Sequence, residues 1–130
     1  MKNFISCLIV CFAGFAAGGC SSSPSSVPAV PGGVSEALAD TQALILESTY
    51  GGAPLKSAKD LDQYESRFPK AIAALKSGEV KMVWGKQIQD NASSPQVISY
   101  EAKAESGEGW AVKEDGKFHK VSASDLPPKK

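Results

Sequence analysis

The chain has one histidine, His119, and no cysteine beyond residue 20. A single histidine cannot supply the pair that a zinc site commonly uses. A region without cysteine has neither a disulfide nor a thiolate for metal binding or nucleophilic attack. Glycine-rich phosphate loops are also missing. Gly32-Gly33 and Gly51-Gly52 lack the Lys-Ser/Thr or the spaced glycines that cradle a phosphate. Neither sign of charge dominates: 14 basic residues stand against 14 acidic ones, for a net charge of zero. That balance argues against a nucleic-acid partner. A serine, His119 and Asp125 could be assembled on paper into a triad, but a serine-rich chain offers such combinations by chance. Asp60, Asp62 and Glu65 stand two and three apart, so on a helix they do not converge on one ion. The expectation is a non-enzyme with no catalytic residues, no metal and no cofactor.

What is present begins at the N-terminus. Met1-Lys2-Asn3 is a short cationic lead, and Phe4 to Ala17 is a nearly unbroken apolar run. Gly18-Gly19-Cys20 follows, and the chain turns polar at Ser21-Ser22-Ser23. A positive start, an apolar middle and a small-residue end are the three parts of a secretory signal. The run is shorter than the ~20 apolar residues that span a bilayer. Residues 1–19 are therefore expected to address the chain and not to join the fold.

Ala17-Gly18-Gly19-Cys20 resembles the lipobox of bacterial lipoproteins, with Ala17 where leucine is more usual. The resemblance implies cleavage between Gly19 and Cys20 and a diacylglycerol on the Cys20 sulfur. One acyl chain holds a protein only marginally, so durable anchoring takes at least two. Ser21 after the cysteine implies the periplasmic face of the outer membrane over the inner membrane. An ordinary signal cut nearby would instead leave Cys20 a free thiol. On the lipoprotein reading the mature chain is lipid-anchored in the cell envelope and has an envelope protein as its partner.

Residues 20–33 hold the anchor and a Ser/Pro/Gly linker that cannot form a core. Extended at ~3.1 Å per residue, it reaches tens of ångströms. Val34 to Tyr50 has helical spacing, with Ser35 as N-cap and Gly51-Gly52 as stop. Pro54 to Gly78 is helical again. Ser57 and Asp60 have capping-box spacing, and Leu61, Tyr64 and Phe68 share a face. Pro69 breaks that ladder and can open a second helix.

From Glu79 the period changes to that of strands. Val80 to Trp84, Gln96 to Lys103, Trp110 to Glu114 and Lys117 to Val121 are the expected strands, and Ser122 to Leu126 adds one helical turn. Short connections favour antiparallel neighbours. The expected domain, residues 34–126, is thus α+β: helices packed on a four-stranded antiparallel meander, one face covered and one wet. Residues 127–130 are expected to fray. Trp84 is expected in the core, where Trp84→Ala costs ~3–5 kcal/mol. Asp115-Gly116 as a two-residue turn pairs Val112 with His119 and turns His119 toward the helices, without an acidic partner. A slip of one residue would instead turn Phe118 inward and His119 outward.

The strand at Val80, then Val97-Ile98-Ser99-Tyr100-Glu101, then the late Asp115-Gly116 hairpin, resembles the sheet of planctomycete-type pseudopilin-like and small envelope proteins. The resemblance implies a subunit of a pilus-like or secretion assembly. The N-terminus departs from the pilin pattern, because a lipobox and linker replace the long apolar helix.

Overall fold

A computed structural model of the chain describes residues 29–129. The signal, Gly19, Cys20 and most of the linker lie outside the described residues. Helix α1 spans Glu36–Tyr50, and α2 spans Pro69–Ser77. Strands β1 (Val80–Met82), β2 (Val97–Glu101), β3 (Glu108–Lys113) and β4 (Phe118–Ser122) form one sheet in the order β1-β2-β3-β4. Every neighbouring pair is antiparallel, so the fold is α+β with the expected meander. No helix among the described residues is long and apolar enough to cross a membrane.

The local signals behave as their chemistry requires. The Ser35 hydroxyl accepts from the Leu38 amide at 3.3 Å and caps α1. Past its end, Gly52 takes a φ of +74°. The capping box is present, and the Asp60 carboxylate accepts from the Ser57 amide at 2.8 Å. The segment it opens, Ala58–Tyr64, is a tight 3-10 helix and not an α-helix. Pro69 starts α2 as expected, and Gly78 ends it at φ +80°. The α2 N-terminus has no capping side chain of its own. Asp40 of α1 supplies one, accepting from the Ala71 amide at 2.8 Å.

Leu44, Leu55, Leu61, Tyr64, Ala71 and Ile72 form the core between the helices. Full burial of an aliphatic side chain of this size contributes ~1.5–3 kcal/mol. Leu38, Ala74, Val80 and Val112 join the helices to the sheet, with Trp110 and Phe118 packed beside them.

Four expectations are corrected. Trp84 is not in the core: β1 ends at Met82, and Trp84 stays 38% exposed. Gly85, at φ +84°, donates its amide to Leu55 at 2.8 Å and turns the chain away just where Trp84 would have faced inward. The β3–β4 hairpin is slipped by one residue. Gly116 donates to the Lys113 carbonyl at 2.9 Å, so Glu114, Asp115 and Gly116 make a three-residue loop with Gly116 at φ +72°. Phe118 therefore pairs with Val112 and His119 with Ala111. Phe118 turns inward, while His119 is half-buried on the outer face and does have an acidic partner, Asp115, at 2.8 Å.

Strand β2 carries an irregularity between Val97 and Ser99, which breaks its simple alternation. The outer face is not simply wet either. Val97, Tyr100, Ala104, Ala111 and Val121 form a second cluster there, roofed by Leu126. The 3-10 segments Ala102–Glu105 and Ala123–Asp125 build this roof. The terminal Pro127-Pro128-Lys129 has no regular structure, and the Lys129 ammonium lies 3.1 Å from Glu105.

Candidate functional site

The residues considered for a triad or a metal site are engaged in local hydrogen bonds and ion pairs. His119 Nε2 lies 2.8 Å from Asp115 Oδ2, and Asp115 Oδ1 accepts from the Lys117 amide at 3.0 Å. Burial pushes the Asp115 carboxyl up, but the Lys117 amide and His119 outweigh it and hold it below the usual range. The pair pins the hairpin loop. Asp125 is engaged elsewhere: it accepts from the Ser122 amide and hydroxyl, both at 2.8 Å, and caps the last 3-10 turn. Asp60 caps its own segment, and Glu65 pairs with Lys76 at 3.0 Å. Among the described residues no group of three His, Cys, Asp or Glu side chains is placed to hold a metal.

Three glutamates instead tie distant segments together. Glu114 accepts from the Gln96 amide at 3.0 Å and from Lys86 at 3.0 Å. The Gln96 amide leads in holding its carboxyl below the usual range, with Lys86 adding to the effect against burial. Glu105 collects Lys81 at 2.7 Å, Lys129 at 3.1 Å and the Tyr100 hydroxyl at 3.1 Å. Lys81 first, then Lys129, lower its pKa to about 2.

Glu101 is the deepest of the three, its side chain 5% exposed. Oε1 accepts from the Ser35 amide at 3.0 Å, and Oε2 accepts from the Trp110 amide at 3.0 Å. Lys103 Nζ lies 2.8 Å from Oε2. The carboxylate thus joins the start of α1 to the sheet where the chain leaves the linker. Sequence reasoning did not single it out as a site residue. The available signal was a charged side chain closing the apolar strand Val97-Ile98-Ser99-Tyr100.

The opposite end of α1 has a different surface. A helix of 15 residues is about 22 Å long. Its last residue, Tyr50, is 73% exposed. The loop that follows Trp84 docks under this end, with the Ile88 amide 3.4 Å from Thr49 Oγ1. Two exposed aromatics therefore belong to the end of the domain away from the linker. Cys20 and Gly19, the residues assigned to lipidation and cleavage, lie outside the described residues. Comparison with protein-family models, with curated proteins and with solved structures found no match to this chain.

Proposed function

We propose that this is a lipid-anchored cell-envelope protein whose α+β domain is a non-catalytic binding or structural module. The observation that carries the reading is Ala17-Gly18-Gly19-Cys20 at the end of an apolar run, followed by the Ser/Pro linker. Lipid on Cys20 anchors the chain, and the linker lifts the domain from the membrane. Ser21 favours the periplasmic face of the outer membrane. The placement of the exposed aromatics supports a module that works at its far end. Tyr50 and Trp84 sit away from the linker, where an envelope protein could reach them. Buried anchors of this type dominate protein–protein binding energy. The use of His119 to pin the hairpin loop and of Asp125 to cap the last 3-10 turn supports a non-catalytic role.

The test is Cys20→Ser in the full-length chain, followed by membrane fractionation and labelling with a radioactive fatty acid. The variant is expected to leave the membrane fraction and to lose the label. A variant that stays in the membrane with unaltered mobility refutes the anchor. Self-association of the anchored wild type would favour the assembly-subunit reading over the spacer or binding reading.

A further inference from the structure

The turn that brings the linker into the domain lies against the sheet. Val34 donates its amide to the Pro31 carbonyl at 3.3 Å, and Gly33 sits at φ +92°. A Cβ on Gly33 would come within 3.4 Å of Trp110 Nε1, so the turn is seated directly on the indole. Val34 also packs into the cluster that holds Leu38, Val112 and Trp110. Beside this turn runs a cleft of about 300 Å³ lined by Gly32, Gly33, Lys103, Gly109, Trp110 and Lys120 among others.

Pairing between β2 and β3 does not reach this corner, although Trp110 still pairs with Lys120 of β4 and Glu101 with Val80 of β1. The last β2–β3 partners at this end are Tyr100 and Ala111, and the Trp110 amide is taken by the Glu101 side chain. The same carboxylate takes the Ser35 amide, the first backbone donor after the turn. We propose that Pro31–Val34 is a strap closed over Trp110, that the Glu101 carboxylate is its catch, and that neutralising the carboxylate opens the strap while the rest of the domain stays folded.

The charges around the catch set its sense. Lys103 pairs with it directly, and Glu79 lines the same small cavity of about 160 Å³. Lys120 lies 3.7 Å from Glu108 across the cleft, and Lys70 is paired with Glu36 beside Ser35. Burial raises the Glu101 pKa, while Lys103 and the Ser35 and Trp110 amides lower it by more, for a net depression. A depressed carboxyl stabilises the closed form above its unfolded pKa and loses that contribution as pH falls through the folded value. The strap therefore stays shut while Glu101 is ionised and opens as pH falls through its depressed pKa. The inference does not depend on whether Cys20 carries lipid.

The experiment uses the full chain with Trp84→Phe, which leaves Trp110 as the one tryptophan. In Glu101→Gln, amide exchange at Ser35 and Trp110 should be at least tenfold faster, while Leu44 and Ile98 keep their protection. Quenching of Trp110 by acrylamide should rise. Acidifying the unmutated catch should raise quenching before the far-ultraviolet circular dichroism changes. Gly33→Ala attacks the strap from its other side. It should raise Trp110 quenching while the Trp110 amide, still held by Glu101, stays protected. Unaltered exchange at Ser35 in Glu101→Gln overturns the proposal. So does acid exposure of Trp110 only together with global unfolding, which keeps the test decisive if Glu101→Gln fails to fold.

Discussion

On the helix side of the sheet, Val80 and Val112 meet Leu38, Ala74 and Leu75. On the outer side, Ala111 and Val121 meet Ala104 and Leu126 under two 3-10 turns. The first contact is made mainly by leucines of two α-helices, and the second by Tyr100, valines and Leu126 together with a close approach of Gly109 to Ala104. Ion pairs rim the outer roof, with Lys81 and Lys129 both on Glu105. Both layers bury apolar side chains, and the outer one adds a close backbone fit and charge at its rim. The two should respond to different perturbations, and four measurements test that.

The largest effect is expected on the helix side. Leu38 is fully buried between α1 and the sheet. Leu38→Ala should cost ~2–5 kcal/mol in denaturant unfolding, through lost transfer energy and a residual cavity. A cost under ~1 kcal/mol would mean that the helix layer is not the main seal.

Next comes the fit of the outer roof. A Cβ on Gly109 would lie 2.8 Å from Ala104 Cβ and 3.0 Å from the Ala104 amide nitrogen. Both neighbours are rigid, so Gly109→Ala should cost ~1–3 kcal/mol by overpacking. An unchanged unfolding midpoint would show that the roof is loose.

Trp84 belongs to neither seal, being 38% exposed beyond the end of β1. Trp84→Ala should therefore cost less than ~1 kcal/mol, well under the core value that the strand alternation predicts. A loss of 3 kcal/mol or more, again by denaturant unfolding, would return Trp84 to the core.

The smallest effect is read from the slope of stability against pH in acid. Glu105, with a pKa lowered to about 2, favours the folded form while ionised. Its contribution is present above the usual glutamate range and is lost as pH falls toward 2. In a melting series against pH, Glu105→Gln should lower stability most at and above about 4.5, where the wild-type carboxylate is ionised, and should flatten the acid limb between about 4.5 and 2. Added salt should weaken the wild-type effect, because the lysines that pair with Glu105 are exposed. An acid limb as steep as wild type would separate Glu105 from the roof.

Much of this architecture follows from local chemistry. Ser35, Ser57-Asp60, Pro69 and Gly78 mark the helical segments, because capping and φ restriction act within a few residues. The change from helical to strand period at Glu79 marks the start of the sheet, and the short connections after β2 favour antiparallel neighbours. The assigned anchor site at Cys20 is likewise a sequence reading alone, since it lies outside the described residues. The rest depended on partners far along the chain. Asp115-Gly116 fits either hairpin register. Glu114 donates its amide to Gln96 at 2.9 Å and so belongs to the β2 side, which agrees with the three-residue loop and turns Phe118 inward. Trp84 alternates correctly, yet the Gly85 bond to Leu55 ends the strand before it. Asp40 caps a helix that starts 29 residues later, and Glu101 clasps Ser35 from 66 residues away. Alternation and propensity describe a residue and its neighbours. Which carboxylate meets which orphan amide is decided only when the layers pack.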